Sequence, residues 1–328
     1  MLIDNLEHQQ KILEKLYLIR DLEEAIAEHY PEGEMRCPTH LSIGQEGVPA
    51  ALSVCLSHDD FAVSTHRSHA HYLAKGGCPK AMVAEIYGKA SGCSGGRGGS
   101  MHLIDESVGF KGSTAIVGNT IPIGVGLALS QKIRKKKNIS VVFVGDGAIE
   151  EGVFYEAANF AAVKGLPVLF VCENNLYSVY SGLENRQPKG REIHKMVEGL
   201  GLKTYSGDGN DVVSSHQLLA QAVDDIKQGQ GPIFVELSTY RWREHCGPNY
   251  DNQLGYRSEE EFLTWQKLEP IARFEKWLQD NNLMTQQTMA DIRQQVNKTI
   301  KQAFIFAKSS PFPDASTLAD HVYAAGGQ

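Results

Sequence analysis

The sequence predicts an α/β fold: an open, mostly parallel sheet with helices on both faces and with helical N- and C-terminal extensions. Two short apolar runs, at residues 141–144 and 167–172, have the composition of buried parallel strands. The segment between them has helical periodicity, so the three form a β-α-β unit. Helical spacing of apolar residues also dominates both ends of the chain.

The N-terminal part is predicted to be helical. Residues 6–29 have an amphipathic pattern that Pro31 and Gly33 end. A second, alanine-containing helix is expected to end near Leu56. A strand at 60–64 then opens the main sheet.

A cationic cluster follows this first strand. It contains His66, Arg67, His69 and His71. A solvated loop is the plain alternative, but α/β proteins bind ligands in the loops at the carboxyl ends of their strands. The planar fork of donors on arginine suits a diphosphate. A metal site is a further alternative, although no cysteine or carboxylate is suitably spaced among these histidines.

A glycine-rich stretch at residues 90–100 follows a predicted helix at 79–89. Because such a stretch is flexible by itself, we expect either a mobile loop or a loop ordered by a ligand.

The polar residues that end the two central runs indicate a metal-bound diphosphate. The first run ends in Gly145-Asp146-Gly147 and the second in Asn174-Asn175. Both ends should face one crevice. Carboxylate and amide oxygens are ligands that Mg²⁺ takes together with phosphates, and glycines let a phosphate approach the backbone. A turn whose asparagines only cap a loop is the plain alternative. A Rossmann site is excluded because GDGAIE lacks the third glycine of that motif.

The remaining elements follow from the same patterns. The helix between the two runs should carry Glu150 and Glu151 in its first turn and end at Gly165. A second Gly-Asp-Gly, at 207–209, has no Asn-Asn pair at the required distance, so we interpret it as a turn or loop. The other predicted elements are a polar loop at 177–192 folded over the site, a strand at 232–237, and helices at 193–200, 212–226, 259–279 and 285–307.

The chain is predicted to be a single domain, 1–328, since it contains no repeat and no convincing linker. We divide it into a helical N-terminal arm (1–58), an α/β core (59–245), and a loop with C-terminal helices (246–328).

The composition excludes several classes of protein. With 42% hydrophobic and 22% charged residues, the 328-residue chain is ordinary for a globular protein. Its net charge of −7 makes nucleic acid or an anionic membrane an unexpected partner. The six cysteines show no metal-ligand spacing and suit a reducing compartment. No apolar run has the length of a membrane span, and the N-terminus is unlike a signal peptide, so we expect a cytoplasmic protein.

The paired motif resembles the signature of thiamine diphosphate enzymes, GDG followed by NN; here 26 residues separate Gly147 from Asn174. The chain is most similar to the α subunit of acetoin and pyruvate dehydrogenases, the first component of 2-oxo acid dehydrogenase complexes. The resemblance implies the thiamine diphosphate-binding fold. The further landmarks are HLSIGQEG (40–47), STHRSHAHYLAKG (64–76), GRGGSMH (96–102), IVG (116–118) and TYR (239–241).

The resemblance assigns a cofactor and a metal ion, thiamine diphosphate and magnesium. It implies that magnesium is held by the side chains of Asp146 and Asn175 and by the carbonyl of Tyr177. The residues it implies for the diphosphate are Arg67, His66 and the backbone at Gly147 and Ala148.

The resemblance also implies roles beside the reacting end of the cofactor. The backbone of Ala115 and Val117 would meet the aminopyrimidine, and the Val117 side chain would keep the cofactor bent. His245, His69 and His40 would line the reaction centre.

The implied activity is a thiamine diphosphate-dependent oxidoreductase. The enzyme would cleave acetoin or decarboxylate a 2-oxo acid and pass the product to a lipoyl acceptor, with a lipoyl acyltransferase component as a further partner. The activating glutamate lies on a separate β subunit in this family, which implies an α2β2 heterotetramer. Two alternatives remain open: a transketolase-like carboligase that transfers a two-carbon unit to a carbonyl acceptor, and a non-catalytic cofactor-binding subunit.

One loop, Trp242 to Leu254, departs from the family pattern. Cys246 stands where regulated members carry a phosphorylated serine, so kinase regulation is in doubt. Arg243 and Glu244 are either ordinary loop residues or selectors of an acidic or polyhydroxylated substrate. His66 replaces a tyrosine of the mitochondrial pyruvate enzymes, and in this the motif looks more like that of the bacterial acetoin enzymes.

Overall fold

The computed structural model describes residues 2–320 and 322, and its centre is a sheet of six parallel strands. The strands are β1 (Phe61–Ser64), β2 (Phe110–Ser113), β3 (Ser140–Gly145), β4 (Val168–Asn174), β7 (Lys203–Asp208) and β8 (Ile233–Ser238). Their order across the sheet is β2-β1-β3-β4-β8-β7. A small antiparallel hairpin, β5 (Tyr177–Ser178) and β6 (Ser181–Gly182), lies outside it.

The two central strands are buried on both faces, as their apolar sequences predict. Val142 of β3 pairs with Phe170 of β4, and both side chains belong to one apolar core. Their neighbours Val141 and Leu169 also pair and belong to a second core. Successive residues of a strand point to opposite faces, so the sheet separates two cores.

Helices cover both faces of the sheet. On one face lie α5 (Thr120–Ile133), α6 (Gly152–Lys164) and α8 (Ile193–Glu198). The helices of the other core are α1 (Leu6–His29), α2 (Gly47–Ser53), α3 (His69–Ala74), α4 (Pro79–Ile86), α9 (Val212–Lys227), α10 (Glu259–Lys267), α11 (Pro270–Asp280) and α12 (Gln286–Ser309). A short helix, α7 (Leu183–Arg186), follows the small hairpin. The predicted fold class is confirmed.

The terminal extensions pack against each other. Helix α12 lies against α1 and α4, and Arg293 of α12 donates two hydrogen bonds to Asp21 of α1, at 2.7 and 2.9 Å. The predicted long helices at both ends are confirmed. The end of the predicted C-terminal extension, residues 321 and 323–328, lies outside the described residues, and the division into arm, core and tail stays a prediction.

The chain reverses its direction of travel across the sheet between β1 and β3. From β1 it moves outward to β2, then returns to β3 on the other side of β1. The carboxyl ends of β1 and β3 therefore border a crevice where parallel α/β sheets bind ligands.

Several predicted helix boundaries are wrong. The single helix at 259–279 is two helices, because Pro270 starts α11 and the Glu269 side chain caps it by accepting from the Ala272 amide at 2.6 Å. Glu150 and Glu151 precede α6, since residues 146–150 form a 3₁₀ turn. Gly165 ends α6 in a left-handed conformation, as predicted.

Two strands escaped prediction. β2 and β7 are the edge strands of the sheet, and neither has a continuous apolar run. Gly207 and Asp208 belong to β7, so their interpretation as a turn or loop is wrong. The predicted polar loop at 177–192 contains the small hairpin and α7.

The glycine-rich stretch is organised by a buried carboxylate of α4. Glu85, which is fully buried, accepts hydrogen bonds from the backbone amides of Ser94, Gly96, Gly98 and Gly99 at 2.6–3.2 Å. A side chain at Gly98 would meet the His102 carbonyl at 2.1 Å. The loop is therefore ordered by the protein itself, which is neither of the two alternatives that the sequence suggested.

No helix among residues 2–320 is both long enough and apolar enough to cross a membrane.

Candidate functional site

A cavity of about 190 Å³ lies at the carboxyl ends of β1, β3 and β4. Segments that follow β1 and β3, the two strands between which the chain reverses its direction across the sheet, both line the cavity, as the topology requires. Of the residues to which the family resemblance assigns a role, all but His69 line this cavity: His40, His66, Arg67, Ala115, Val117, Asp146, Gly147, Ala148, Asn175, Tyr177 and His245.

Asp146 is the buried carboxylate of the cavity. It begins the 3₁₀ turn directly after β3, and only 1% of it is exposed. One carboxylate oxygen accepts a hydrogen bond from the backbone amide of Asn175 at 3.3 Å, and the other pairs with the guanidinium of Arg186. Burial raises the pKa of Asp146, while Arg186 opposes that rise.

Arg186 is the cation that neutralises this part of the cavity. Its guanidinium also binds Glu150 at 2.6 Å and the Ser181 carbonyl at 3.0 Å. The side chain comes from α7, so the segment after the hairpin folds back over the end of β3. A protein cation therefore lies against the carboxylate that the sequence assigned to a metal ion.

Asn175 and Tyr177 lie on a constrained turn beyond β4. The Asn175 side chain donates to Gln45 at 3.3 Å and accepts from the Tyr177 amide at 3.1 Å. Leu176 and Val179, on either side of Tyr177, have positive φ values of 71° and 56°. Strained backbone of this kind is maintained only where the surroundings fix it, and it is common at functional sites.

Gly147 has no room for a side chain. A Cβ atom at this position would lie 2.8 Å from the Ser178 hydroxyl. Gly147 therefore packs closely against the small hairpin, and a larger residue would require Ser178 to move.

Arg67 is a buried cation without a counter-ion. It donates to the carbonyls of Leu41, at 2.5 Å, and His245, at 3.2 Å, and makes no ion pair within the described residues. Burial lowers the pKa of Arg67 to about 9, so the guanidinium stays charged at neutral pH. A buried charge is costly unless it is paired, which makes this end of the cavity suitable for an anion.

Three imidazoles from three segments meet beside Arg67. The ring centroids of His40, His66 and His245 are 4.7–5.3 Å apart. Burial first, and then the charge of Arg67, lowers the pKa of each histidine to about 3. All three rings are therefore neutral at pH 7, and each nitrogen pair offers one donor and one acceptor.

His69 does not reach the cavity. It is fully buried at the start of α3, with Nδ1 3.2 Å from Glu23 and Nε2 2.9 Å from the Ser100 hydroxyl. Both ring nitrogens are thus occupied by the protein, so its contact with the reaction centre is indirect at most.

The cavity also contains residues that sequence reasoning missed. Gln45, inside the landmark 40–47, contacts Asn175, and buried Glu173, just before Asn174, lies 3.1 Å from His71. Arg186, which pairs with Asp146 from outside the cavity lining, had no motif to mark it. Gln45 and Glu173 could have been suspected from their proximity to the motifs.

The divergent loop does not place its charges in the cavity. Arg243 pairs with Glu24 and lies over the Tyr250 ring at 4.2 Å, while Glu244 accepts from Asn249 at 2.9 Å. The hypothesis that Arg243 or Glu244 selects a substrate is therefore not supported by these contacts. Trp242 is a buried residue under the guanidinium of Arg20.

Comparison with known proteins places the chain in a family. The family model described as "Dehydrogenase E1 component" matches residues 14–316. The chain belongs to the dehydrogenase E1 component family. It is thus a subunit of a thiamine diphosphate-dependent oxidoreductase, and the resemblance inferred from the sequence is confirmed.

E1 relatives align over nearly the whole chain. The "pyruvate dehydrogenase E1 component subunit alpha" of Rickettsia bellii is 36% identical over 317 residues, which is 97% of this chain and 96% of the relative. The protein of the same name from Porphyra purpurea is 35% identical over 326 residues, 97% and 94% of the two chains. A chloroplastic form from Arabidopsis thaliana is 34% identical over 97% of this chain and 75% of its own.

Proposed function

We propose that this E1 chain is the α subunit of a 2-oxo acid dehydrogenase, with a magnesium-bound thiamine diphosphate in the cavity. One observation carries the proposal: a buried cation without a counter-ion, Arg67, and a buried carboxylate, Asp146, face the same cavity. A diphosphate bridged to a divalent cation satisfies both charges at once.

The residues present fit this pair of ligands. Asp146 and Asn175 offer oxygens for magnesium, together with the carbonyl of Tyr177. Arg67 and His66 would hold the diphosphate, and Gly147 and Ala148 would present their backbone to it. Ala115 and Val117, which line the same cavity, would contact the aminopyrimidine, and the Val117 side chain would keep the cofactor bent.

Bound thiamine diphosphate supplies a nucleophilic carbon that adds to a carbonyl group of the donor. The chain's own residues orient the donor and handle protons. His40 and His245 are neutral at pH 7, so each can donate a hydrogen bond to an oxygen or accept a proton from a hydroxyl. Arg67 stays charged, and burial together with this charge keeps both rings neutral.

Magnesium requires Arg186 to release Asp146. A guanidinium and a divalent cation compete for the same carboxylate oxygens, and the covering segment 177–186 carries the guanidinium. Magnesium binding at Asp146 would therefore have to displace the Arg186 side chain or the short helix α7 that carries it.

The donor we favour is pyruvate or a similar small 2-oxo acid, with the acyl group passed to a lipoyl acceptor. The relatives' names support pyruvate. Acetoin remains the second candidate. His66 stands where the mitochondrial pyruvate enzymes carry a tyrosine, and in this the motif resembles that of the bacterial acetoin enzymes.

The proposed partner is a β subunit that supplies the activating glutamate, in an α2β2 heterotetramer. Apolar side chains on α5 and α6 support a macromolecular partner, for Ile133 and Val163 are 71% and 72% exposed, and Ile123 is 49% exposed. The exposed apolar residues Ile116 and Val117 border the cavity itself.

The test is reduction of an artificial electron acceptor by the chain co-expressed with a β-subunit partner, with thiamine diphosphate and magnesium present. Pyruvate, branched 2-oxo acids and acetoin are compared as donors. We expect reduction with pyruvate. Reduction with acetoin but with neither pyruvate nor the branched 2-oxo acids would show that acetoin is the donor instead. Cofactor binding without reduction by any donor would refute it.

A further inference from the structure

We propose that His40, His66 and His245 form a binding site for a zinc-class transition metal ion, with ligands different from those of the proposed magnesium site. The three side chains each have a ring nitrogen within 4.8 Å of the others. They come from the segment before α2, the end of β1 and the loop after β8, so the tertiary fold assembles the cluster.

The rings lack protein partners. Nδ1 of His40 is buried without a hydrogen bond, and His40 as a whole is 7% exposed. No described protein group hydrogen-bonds to the rings of His66 or His245 either. Buried polar groups are ordinarily hydrogen-bonded, so Nδ1 of His40 indicates a ligand that the protein does not itself supply.

The chemistry of the cluster selects the metal. Imidazole nitrogens suit Zn²⁺, Cu²⁺ and Ni²⁺, whereas Mg²⁺ takes oxygen ligands. Three histidines leave a fourth position for water on the side that faces the cavity, as in open zinc sites. The histidine cluster and the carboxylate site at Asp146 therefore favour different metal ions.

Metal binding requires the three ring nitrogens to move closer together. Zinc–nitrogen bonds of about 2.0–2.1 Å place two tetrahedral ligands about 3.3 Å apart. The three nitrogens, up to 4.8 Å apart, must approach one another by as much as about 1.5 Å. His66 and His245 are half-buried and free of hydrogen bonds, so rotation of their rings can supply this movement.

Neighbouring charges act against the metal. Arg67 contacts the carbonyl of His245, and Arg241 lies close enough to lower the pKa of His40 and His245. These cations weaken the site. If the proposed function holds, a metal ion here occupies the reaction centre and makes zinc an inhibitor.

The test is a titration of the full-length chain with Co²⁺, after treatment with a chelator and without magnesium or thiamine diphosphate. Cobalt bound by three imidazoles in a four- or five-coordinate site absorbs visible light strongly, whereas octahedral cobalt absorbs weakly. We expect intense bands that added Zn²⁺ removes. Their absence at saturating Co²⁺ would overturn the proposal.

Two variants and one matched control locate the metal. His66→Phe and His245→Phe each keep an aromatic ring and should weaken cobalt binding by more than about tenfold. His216→Phe changes another buried histidine with an unpaired Nδ1, outside the cavity, and should leave the bands unchanged. Thermal unfolding checks the fold of each variant. Bands that persist in either folded cluster variant would overturn the proposal.

Asp146→Ala separates the two metal sites. The bands should persist in this variant, because its carboxylate is not a ligand of the histidine cluster. Their loss would assign the cobalt to the carboxylate site and refute the proposal. The titration uses neither cofactor nor donor, so its failure is distinguishable from failure of the proposed function.

Discussion

At the scale of single residues, the site depends on how buried charges are compensated. The guanidinium of Arg67 donates hydrogen bonds only to carbonyl oxygens, while Asp146 forms an ion pair with the guanidinium of Arg186. Removing one partner of a buried ion pair is costly, so Arg186 stabilises the ligand-free cavity. The same pairing must weaken the binding of any cation that needs Asp146.

Replacing Arg186 should therefore strengthen magnesium binding. Arg186→Ala removes the competing cation, and we expect the dissociation constant for magnesium in the presence of thiamine diphosphate to fall by roughly tenfold. Calorimetric titration measures this change. Arg191→Ala, an exposed arginine farther along the same segment, is the control and should bind as the wild type does. Weaker magnesium binding in Arg186→Ala would show instead that the guanidinium supports the ligated state.

The histidine cluster predicts that the free energy of unfolding decreases at acidic pH. Burial first, and then the charges of Arg67 and His245, lower the pKa of His66 to about 3 in the folded chain and keep it neutral. In the unfolded chain its pKa is about 6.5. The stability that neutral His66 contributes is thus fully present above about pH 6.5 and is lost as the pH falls toward 3.

His66→Phe should flatten this dependence. Each proton taken up only by the unfolded chain changes the free energy of unfolding by about 1.4 kcal/mol per pH unit. Urea unfolding of the metal-free chain between about pH 4 and about pH 6.5 should give the variant a slope smaller by up to that amount. Parallel curves for wild type and variant would contradict the neutral state assigned to the cluster.

At the scale of elements, the strand ends were predictable and the segments that close over them were not. Asp146 and Asn175 follow strands whose apolar sequences are unambiguous, so their meeting follows from parallel pairing alone. The position of Arg186 depends on a turn with positive φ at Leu176 and Val179, which neither residue type favours. Tertiary contacts fix that turn, and local sequence does not report them.

The glycine-rich loop is a second element whose order comes from tertiary contacts. Nothing in the sequence marks Glu85 of α4 as the acceptor for four amides of a loop that starts after the helix. Edge strand β7 was missed for a related reason: its sequence, KTYSGD, pairs with β8 through backbone hydrogen bonds and needs no apolar run.

Glu85→Gln should loosen this loop. Glutamine keeps the shape but replaces one acceptor oxygen by a donor, which leaves two loop amides without a partner. We expect a loss of about 2–4 kcal/mol in unfolding free energy and faster hydrogen exchange at residues 94–99. Glu106→Gln, in a surface 3₁₀ turn, is the control. Unchanged exchange in Glu85→Gln would mean that the loop is held by other contacts.

At the scale of the whole molecule, the chain looks like one part of a larger assembly. Some of its exposed apolar residues lie on α5 and α6 and beside the cavity mouth, where Val117 is 48% exposed. The overall fold and the family were predictable because several landmarks, spread over residues 40–241, occur in one order. The identity of the donor was not predictable, since the landmarks around the cavity are common to pyruvate-like and acetoin-like enzymes and only His66 favours the acetoin-like motif.

The chain alone should bind cofactor but turn over no donor. The activating glutamate is proposed to lie on the β subunit, so reduction of an artificial acceptor should require co-expression of both chains. Activity is measured for the purified chain, for the partner and for the reconstituted pair. Full activity of the chain alone would contradict the proposed division of the active site.

The most direct test of the account is the affinity for thiamine diphosphate, in the presence of magnesium, of two aspartate variants. Asp146→Ala removes the buried carboxylate of the first Gly-Asp-Gly, and Asp208→Ala removes the matched residue of the second, which pairs with Arg273 at 2.7 Å away from the cavity. Calorimetry should show affinity lowered at least about tenfold in Asp146→Ala and unchanged in Asp208→Ala. Equal affinity in Asp146→Ala and the wild type would contradict the assignment of the cavity to a magnesium-bound diphosphate.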